Sequence, residues 1–510
     1  MGFPLEARQA THERNTMKEN LGMFKAYDIR AKDQTISPER RAALVRAVVR
    51  YYTEELGTER VILARDARLH GPKLLEALSE AFLSCGVDVV VNPLQISTCQ
   101  FYYMCMQDRA AGGIMVTASH NPSEYIGLKL VGPGCFPIAS GSGPGGGIDD
   151  IRKLYIEDRP LERKARGRLS VSSLQESFVD YSLALSGVKE GSLSGLRVYA
   201  EFLSGSAGMD FLLAFSKAGA EVECSHFVPD GFFPSGDPNP IIESSVAPAR
   251  ERMREGCYDI GFVFDGDGDR LDLMYPDGSQ VLPSLNMALV FPYLRPVYSG
   301  SFSKFRSFAD MKTTPAALSE LRAAGLEPSV VRSGHSVIKG QLTRHASDGY
   351  VVAQEETAHY YLNLPVAGGF IASENTLLVA LLSARAMKER PEGYERAKRI
   401  QEGIYRAREW SLHCIDSFVV GKVLSEVRTF FLDKGAVLTE EMEDGTSLAA
   451  TIMRLDDGSA WCQIAQHSSN SEDSVARWEV SASSAGLCSK AEAEVRSFAE
   501  PYIKAGLANY

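Results

Sequence analysis

Apolar and polar positions along the chain alternate in two kinds of block, short runs of strand type and longer stretches with a helical period. The run Val61-Ile62-Leu63-Ala64 ends at the polar Arg65-Asp66-Ala67-Arg68, and apolar positions then recur at helical spacing over 74–83. Gly86 reads as the helix cap and 87–91 as the next strand, which makes a βαβ unit. The same grammar returns at Leu196-Arg197-Val198-Tyr199, followed by a small-residue turn (Ser204-Gly205-Ser206-Ala207-Gly208), a helix over 209–218 and Gly219-Ala220-Glu221-Val222. A third copy is a helix over 315–324 followed by 325–331. Each copy has a small residue and a capping glycine before an x-[Asp/Glu] pair, at Cys85-Gly86-Val87-Asp88, Ala218-Gly219-Ala220-Glu221 and Ala324-Gly325-Leu326-Glu327. Three widely spaced copies predict three related α/β domains rather than a short-period solenoid. Past about Arg406, strand-like runs over 449–455 and 460–464 lie between helical patterns and predict a smaller α+β terminal domain. Residues 1–20 show no persistent apolar period and read as a loose extension. The Gly-rich stretch 139–147 lacks the Gly-Lys-[Ser/Thr] ending of a P-loop and reads as a flexible surface loop rather than a phosphate cradle.

Composition narrows the class. The 510 residues are 45% hydrophobic and 23% charged, too apolar for disorder and long enough for about three or four domains. A net charge of −11 without a long basic run disfavours nucleic-acid binding. An anionic ligand would therefore need cations, a metal or backbone N–H groups gathered locally. The nine cysteines (85, 99, 105, 135, 224, 257, 414, 462, 488) include no Cys-x-x-Cys pair and fit a reduced, cytoplasmic protein. No apolar run approaches the roughly 18–20 residues that span a bilayer, and the start Met1-Gly2-Phe3-Pro4-Leu5-Glu6 carries no signal-peptide core, so no membrane partner is expected.

Two segments carry chemistry. Asp265-Gly266-Asp267-Gly268-Asp269-Arg270 directly follows the apolar strand Ile260-Gly261-Phe262-Val263-Phe264. Alternate carboxylates on an extended loop point the same way, and the glycines let the backbone bend tightly, so three oxygen ligands can converge on one hard cation, Mg²⁺ by default. An EF-hand would need Gly and Glu where this chain has Arg270 and Pro276. The remaining alternative, a solvated acidic turn, is opposed by the mutual repulsion of the carboxylates. The second segment, Gly113-Ile114-Met115-Val116-Thr117-Ala118-Ser119-His120-Asn121-Pro122, is a strand ending in a hydroxyl. Ser119 is not in a Gly-x-Ser-x-Gly elbow, and by local chemistry it reads as either a nucleophile or part of a turn stabilised by Ser119 and Asn121. Lys129 alone reads as a surface lysine, and His335 alone as a satisfied loop histidine.

Together the two segments resemble the α-D-phosphohexomutase superfamily, whose phosphoserine loop reads Thr-[Ala/Gly]-Ser-His-Asn-Pro and whose metal loop reads Asp-Gly-Asp-[Gly/Ala]-Asp-Arg. Ala26-Tyr27-Asp28-Ile29-Arg30, Tyr125-Ile126-Gly127-Leu128-Lys129 and Pro234-Ser235-Gly236-Asp237-Pro238-Asn239-Pro240 are similar to further elements of that family. So are Asp310-Met311-Lys312, Gly334-His335-Ser336-Val337-Ile338-Lys339 and the sugar-recognition stretch Gln354-Glu355-Glu356-Thr357-Ala358-His359. The resemblance implies an α/β fold of three related domains with mixed sheets plus a smaller C-terminal α+β domain around a central cleft. The implied spans are 1–20 (extension), 21–170 (phosphoserine loop), 171–283 (metal loop), 284–405 (sugar-recognition loop) and 406–510 (phosphate-binding loop).

The implied activity is interconversion of hexose 1-phosphate and hexose 6-phosphate, of mannose and/or glucose, through phosphoserine at Ser119 and a hexose 1,6-bisphosphate that also serves as activator. Asp265, Asp267, Asp269 and Ser119 would hold Mg²⁺. Ser119, His120, Lys129, Arg30 and His335 form the implied catalytic set, with Lys129 the first choice as base and His335 the second. Tyr27, Arg270 and Lys312 are implied substrate-binding residues. Glu355 and Thr357 would hold the sugar's 3- and 4-hydroxyls, and His359 reads equally as ligand-binding or structural. A small-molecule phosphosugar is the expected partner, and the chain a monomer or dimer.

The match weakens where the family presents Arg-x-Ser-[Asn/Gly]-Thr-Glu-Pro to clamp the non-reacting phosphate. Here the stretch is His467-Ser468-Ser469-Asn470-Ser471-Glu472-Asp473. His467, Ser469, Asn470 and Ser471 remain as binding residues, but neutral imidazole replaces a bidentate guanidinium, which predicts weaker phosphate affinity unless Arg477 compensates. That loss leaves open a non-catalytic relative and a metal-dependent sugar phosphatase. The intact serine, carboxylate triad and Lys129 favour the mutase.

Overall fold

The computed structural model describes residues 21–469 and 474–510, so the extension at 1–20 and Asn470 and Ser471 of the implied phosphate loop lie outside the described residues. Contacts divide the chain into two compact units, Met1–Gln280 with Tyr360–Arg385, and Val281–His359 with Ala386–Tyr510. The architecture is mixed α/β with several mixed sheets, as the sequence implied.

The first sheet of the first unit comprises β1 (Ile29–Lys32), β2 (Arg60–Arg65), β3 (Asp88–Gln95), β4 (Gly112–Val116), β5 (Tyr125–Val131) and β6 (Leu169–Val171), in the order β1-β5-β4-β2-β3-β6. Strand β2 runs parallel to β3 and β4, whereas β5 is antiparallel to β4 and β1. Every residue of β4 is buried, which is why its sequence is continuously apolar rather than alternating. Helices Pro38–Arg50, Gly71–Ser84 and Ile148–Glu157 bury Val48, Val49, Leu78, Phe82 and Ile151 in one core with Leu63, Ile114 and Val116.

The second sheet comprises β7 (Arg197–Glu201), β8 (Glu221–Ser225), β9 (Ile260–Phe264), β10 (Leu271–Met274) and β11 (Gln280–Val281), in the order β11-β10-β9-β7-β8. Helix Gly208–Ala218 covers it with Phe211 and Phe215, which stack at 4.0 Å and meet Phe262 edge-on.

In the second unit β12 (Arg306–Ala309) is flanked in parallel by β13 (Glu327–Val330) and β14 (Tyr350–Glu355). The hairpin β15 (His359–Val366) and β16 (Gly369–Glu374) follows in the chain and from Tyr360 onward belongs to the first unit. The terminal sheet comprises β17 (Tyr405–Cys414), β18 (Val437–Glu441), β19 (Ser447–Asp456), β20 (Trp461–Ser468), β21 (Val475–Ala482) and β22 (Ala508–Asn509), ordered β18-β19-β20-β21-β17-β22 and antiparallel throughout. Helices Ser417–Asp433 and Ala485–Lys504 supply Val423, Val427, Phe431, Val495 and Ala499 to its core.

The three repeated capping glycines all have left-handed backbones, Gly86 at φ 83°, Gly219 at 79° and Gly325 at 90°. The signature found in the sequence is therefore a helix exit made three times. Among the described residues all nine cysteines are free thiols, and no helix is long and apolar enough to cross a membrane.

The Gly-rich stretch departs from the expected flexible loop. It folds into a compact double turn in which Gly141 N donates to Gly146 O (3.1 Å), Ala139 N to Ser142 O (3.1 Å), and Ser140 Oγ to Asp149 (2.7 Å). Gly147, at φ 66° and ψ −118°, begins helix Ile148–Glu157, and a Cβ there would lie 2.1 Å from Ser142 O and 2.2 Å from Ala139 O. Gly147→Ala should therefore destabilise the first unit by at least about 2 kcal/mol, from strain plus clash, seen as a lower urea midpoint.

Candidate active site

The acidic loop between β9 and β10 is tied by its own backbone. Asp265 Oδ1 accepts from the N–H groups of Asp269 (3.0 Å) and Arg270 (3.1 Å), and Gly268, at φ 69°, donates to Asp265 O (3.1 Å). This turn directs the carboxylates of Asp265, Asp267 and Asp269 to one point, each with an oxygen within 4.8 Å of the others and all three buried. A Cβ on Gly205 would stand 2.7 Å from Asp265 O, so the small-residue turn after β7 is small because the acidic loop lies against it.

Asp267 is the junction. Its Oδ2 accepts from Thr98 Oγ1 (2.6 Å), Thr117 Oγ1 (3.1 Å) and Lys129 Nζ (2.7 Å), and Lys129 also pairs with Asp269. Lys129 is 2% exposed, so the surface-lysine reading is corrected: the inward face of β5 carries it into the carboxylates. Burial alone would lower its pKa, but the charges of Asp267, Asp269 and Glu374 outweigh that and raise it. Burial, with Asp269 and Asp267 alongside, raises Asp265 well above the usual carboxylate range. Among the described residues Asp267 Oδ1 is a buried oxygen without a hydrogen-bond partner. An all-oxygen donor set of three carboxylates and a hydroxyl fits a hard divalent cation.

Ser119 follows β4 and belongs to this cluster, its Oγ donating to Asp265 Oδ2 at 3.0 Å and lying 3.2 Å from His120 Nδ1. Its φ of 52° is left-handed, a strained conformation for a residue with a Cβ. Three features hold it there. Ser119 N donates to Thr117 Oγ1 (2.9 Å), and Arg30 Nη1 donates to Asn121 Oδ1 (2.7 Å) and Ala118 O (3.2 Å). The third is Arg68, 1% exposed, whose two Nη atoms donate to the carbonyls of Ser119 (2.8 Å), Asn121 (2.5 Å), Pro122 (2.7 Å) and Tyr125 (3.0 Å). Asp66 lies 3.2 Å from Arg68 Nε and 2.7 Å from Thr117 Oγ1, whose single proton it shares with Asp267. Tyr27 lies half-buried in the bend before β1, and the Arg270 side chain reaches Asn239 Oδ1 at 3.4 Å.

In the second unit Glu355, at the end of β14, accepts from Gly334 N (3.2 Å), which joins it to the start of helix His335–Arg344. Thr357 is half-buried in the following turn, and His359, at the start of β15, is buried. Asp310 caps its own turn by accepting from Lys312 N (3.0 Å) and receives Glu356 N (3.1 Å). Burial, then the charges of Glu356 and Glu355, push its pKa up to about 7. Lys312 Nζ lies 2.5 Å from Glu409 and 3.6 Å from Glu479. His467 sits opposite Arg477 in the β20–β21 register, and Ser469 N donates to Val475 O (2.8 Å). Burial lowers the His467 pKa.

Residues 22–141 match the description "Phosphoglucomutase/phosphomannomutase, alpha/beta/alpha domain I", and 176–278 match domain II of the same family. A phosphomannomutase of Salmonella montevideo is 32% identical over 349 residues, 67% of this chain and 73% of that protein. The chain belongs to the phosphoglucomutase/phosphomannomutase family. A family protein from Burkholderia thailandensis shares its fold, with a TM-score of 0.76 at 22% identity over 94% of this chain and 98% of that one. The N-acetylphosphoglucosamine mutase of Aspergillus fumigatus, solved in complex with GlcNAc-6P and magnesium, has a TM-score of 0.52 at 11% identity over 91% of this chain and 99% of that one.

The family motifs named Ser119, the three aspartates, Lys129 and Arg30, and these do come together. They did not name Asp66, Arg68 or Thr98. A signal existed for two of these, because Asp66-Ala67-Arg68 directly follows a buried strand, where a charged pair needs a reason. Thr98 gave none, since it meets Asp267 across 169 residues of chain. Arg68→Met would leave Asp66 and four carbonyls without their donor in a buried place. The expected cost is about 3–5 kcal/mol in urea unfolding.

Proposed function

We propose that this phosphohexomutase interconverts hexose 1-phosphate and hexose 6-phosphate, of mannose and/or glucose, through a phosphoserine at Ser119 and a hexose 1,6-bisphosphate intermediate that also activates the enzyme. One observation carries the reading: a strained, buried serine hydroxyl lies 3.0 Å from the first of three carboxylates gathered for a cation. On this reading the domains span 21–170, 171–283, 284–405 and 406–510. The hexose phosphate and the magnesium in the Aspergillus mutase support the same ligand classes here.

A phosphoserine carries about −1.5 to −2 charges near neutral pH, and a substrate phosphate adds a similar amount. Mg²⁺ held by Asp265, Asp267, Asp269 and the Ser119 oxygen would supply positive charge beside the phosphoryl oxygens. Lys129 and Arg30 add two fixed cations, and Arg68 keeps the serine loop from recoiling when the phosphoryl leaves. Lys129, held as an ammonium by Asp267 and Asp269, serves as a fixed cation whose proton is hard to remove, so of the two candidate bases His335, rather than the first choice Lys129, takes the proton of the attacking sugar hydroxyl. Glu355 as acceptor and Thr357 as donor would hold the sugar's 3- and 4-hydroxyls. Lys312, His467 and Ser469 would take the non-reacting phosphate.

Incubation with glucose 1,6-bisphosphate followed by intact-mass measurement should add one phosphoryl group to the wild type and none to Ser119→Ala. The variant should also lose isomer formation by several orders of magnitude. Undiminished turnover in Ser119→Ala would falsify the mutase reading, and phosphate release outrunning isomer formation would favour a phosphatase. His467, held below the usual imidazole range, is neutral at pH 7, so its help to phosphate binding appears only on acidification. His467→Arg should lower KM for mannose 1-phosphate several-fold at pH 7.5, and His467→Gln should lose the gain in affinity that the wild type shows towards pH 5.5.

A further inference from the structure

The face of the terminal sheet that carries His467 is dense in charge. In the β20–β21 register His467 lies opposite Arg477 and Ala465 opposite Glu479. Residues two apart on a strand share a face, so His467, Arg477 and Glu479 stand on the same side. That side meets the turn after β12. Gln463 Nε2 donates to Met311 O and Thr313 O, both at 3.3 Å, and Arg406 Nη2 donates to Lys312 O at 3.3 Å and lies 3.8 Å from Glu356. Lys312 thus projects into the group formed by His467, Arg477, Glu479 and Glu409.

Glu409 reaches this group through an irregularity of its strand. Between Ala407 and Trp410, β17 advances three residues while its partner β21 advances two, from Val480 to Trp478. Such a bulge re-aims a side chain. Glu409 Oε2 then lies 2.5 Å from Lys312 Nζ, and Oε1 lies 3.3 Å from Arg477 Nη1. One carboxylate thus bridges two cations with its two oxygens, the arrangement a phosphate takes between two cationic side chains. Unlike the Lys129 pairs, these side chains are partly open to solvent, at 17% for Lys312, 26% for Arg477 and 27% for Glu409.

We propose that Glu409 is an internal competitor for the anion position between Lys312 and Arg477, a carboxylate that the phosphate of a hexose phosphate must displace, and so a residue that sets substrate affinity. This rests on the reading above that Lys312 takes the non-reacting phosphate. It accounts for a single carboxylate standing between two cations in a partly open face. It also makes affinity there depend on two departures together, the neutral His467 and the resident Glu409. Glu479, at 3.6 Å from Lys312, is too far to replace Glu409 as a hydrogen-bond partner.

The test uses the full chain, with inorganic phosphate as the probe in calorimetry and mannose 1-phosphate in steady-state assays. Glu409→Gln keeps the size and removes the charge. It should tighten phosphate binding roughly fivefold to tenfold and lower KM by a similar factor, with kcat changed less than about twofold. The gain should vanish when Glu409→Gln is combined with Lys312→Gln and Arg477→Gln, because the competitor acts only through the two cations it occupies. Phosphate affinity that is unchanged or weaker in Glu409→Gln overturns the inference, and so does a gain that persists without both cations. Phosphate binding is measured without turnover, so failure of this inference is distinguishable from failure of the mutase reading, which is decided by the Ser119→Ala comparison.

Discussion

The site in the first unit depends on one carboxylate oxygen. Asp267 Oδ2 receives the hydroxyl of Thr98 from the start of helix Thr98–Gln107, the hydroxyl of Thr117 from the end of β4 and the ammonium of Lys129 from β5. Three elements of one sheet-and-helix layer therefore converge on a loop that belongs to another sheet. Burying a carboxylate costs several kcal/mol unless charge and hydrogen bonds are supplied, and a misplaced partner loses that compensation steeply with distance. The requirement to satisfy Asp267 is thus also what sets the position of the acidic loop against Ser119.

A second buried charge serves the opposite limb. Arg68 spends its guanidinium on backbone carbonyls rather than on substrate, and Asp66 balances its charge while also reaching Thr117. A lysine has three donors on one atom and could not span carbonyls on both sides of the loop, whereas the planar guanidinium does. This explains how a serine stays at a positive φ: the strain is local, but the donors that oppose relaxation are anchored in a neighbouring strand end.

Much of this was legible in sequence because it is local. The acidic loop brings its own strand, its own glycines and its own ligands within six residues, and the capping glycines declare themselves by position. What was illegible has two physical sources. Thr98, Asp66 and Arg68 matter through contacts 51 to 169 residues away in the chain, where spacing carries no information. Glu409 matters because a bulge breaks the period-2 alternation from which the face of a strand residue would be read. The Gly-rich stretch was misread for a third reason. Its glycines permit left-handed turns that hydrogen bonds then close, and composition alone does not distinguish freedom from a specific use of it.

The two charged groups solve the same difficulty in different media. On the proposed function a chain of net charge −11 has to hold anions, and long-range repulsion from its surface is screened within about 8–10 Å at physiological salt. What decides binding is the local field. Around Asp267 the cations are buried, and two unit charges about 4 Å apart there interact by roughly 4 kcal/mol at an effective dielectric near 20. Lys129 is accordingly committed to its aspartates. Lys312, Arg477 and Glu409 are partly open to solvent, so charge there is screened more than around Asp267, and the carboxylate can be exchanged for another anion. The depth of each cation thus separates the one that builds the site from those that can exchange partners.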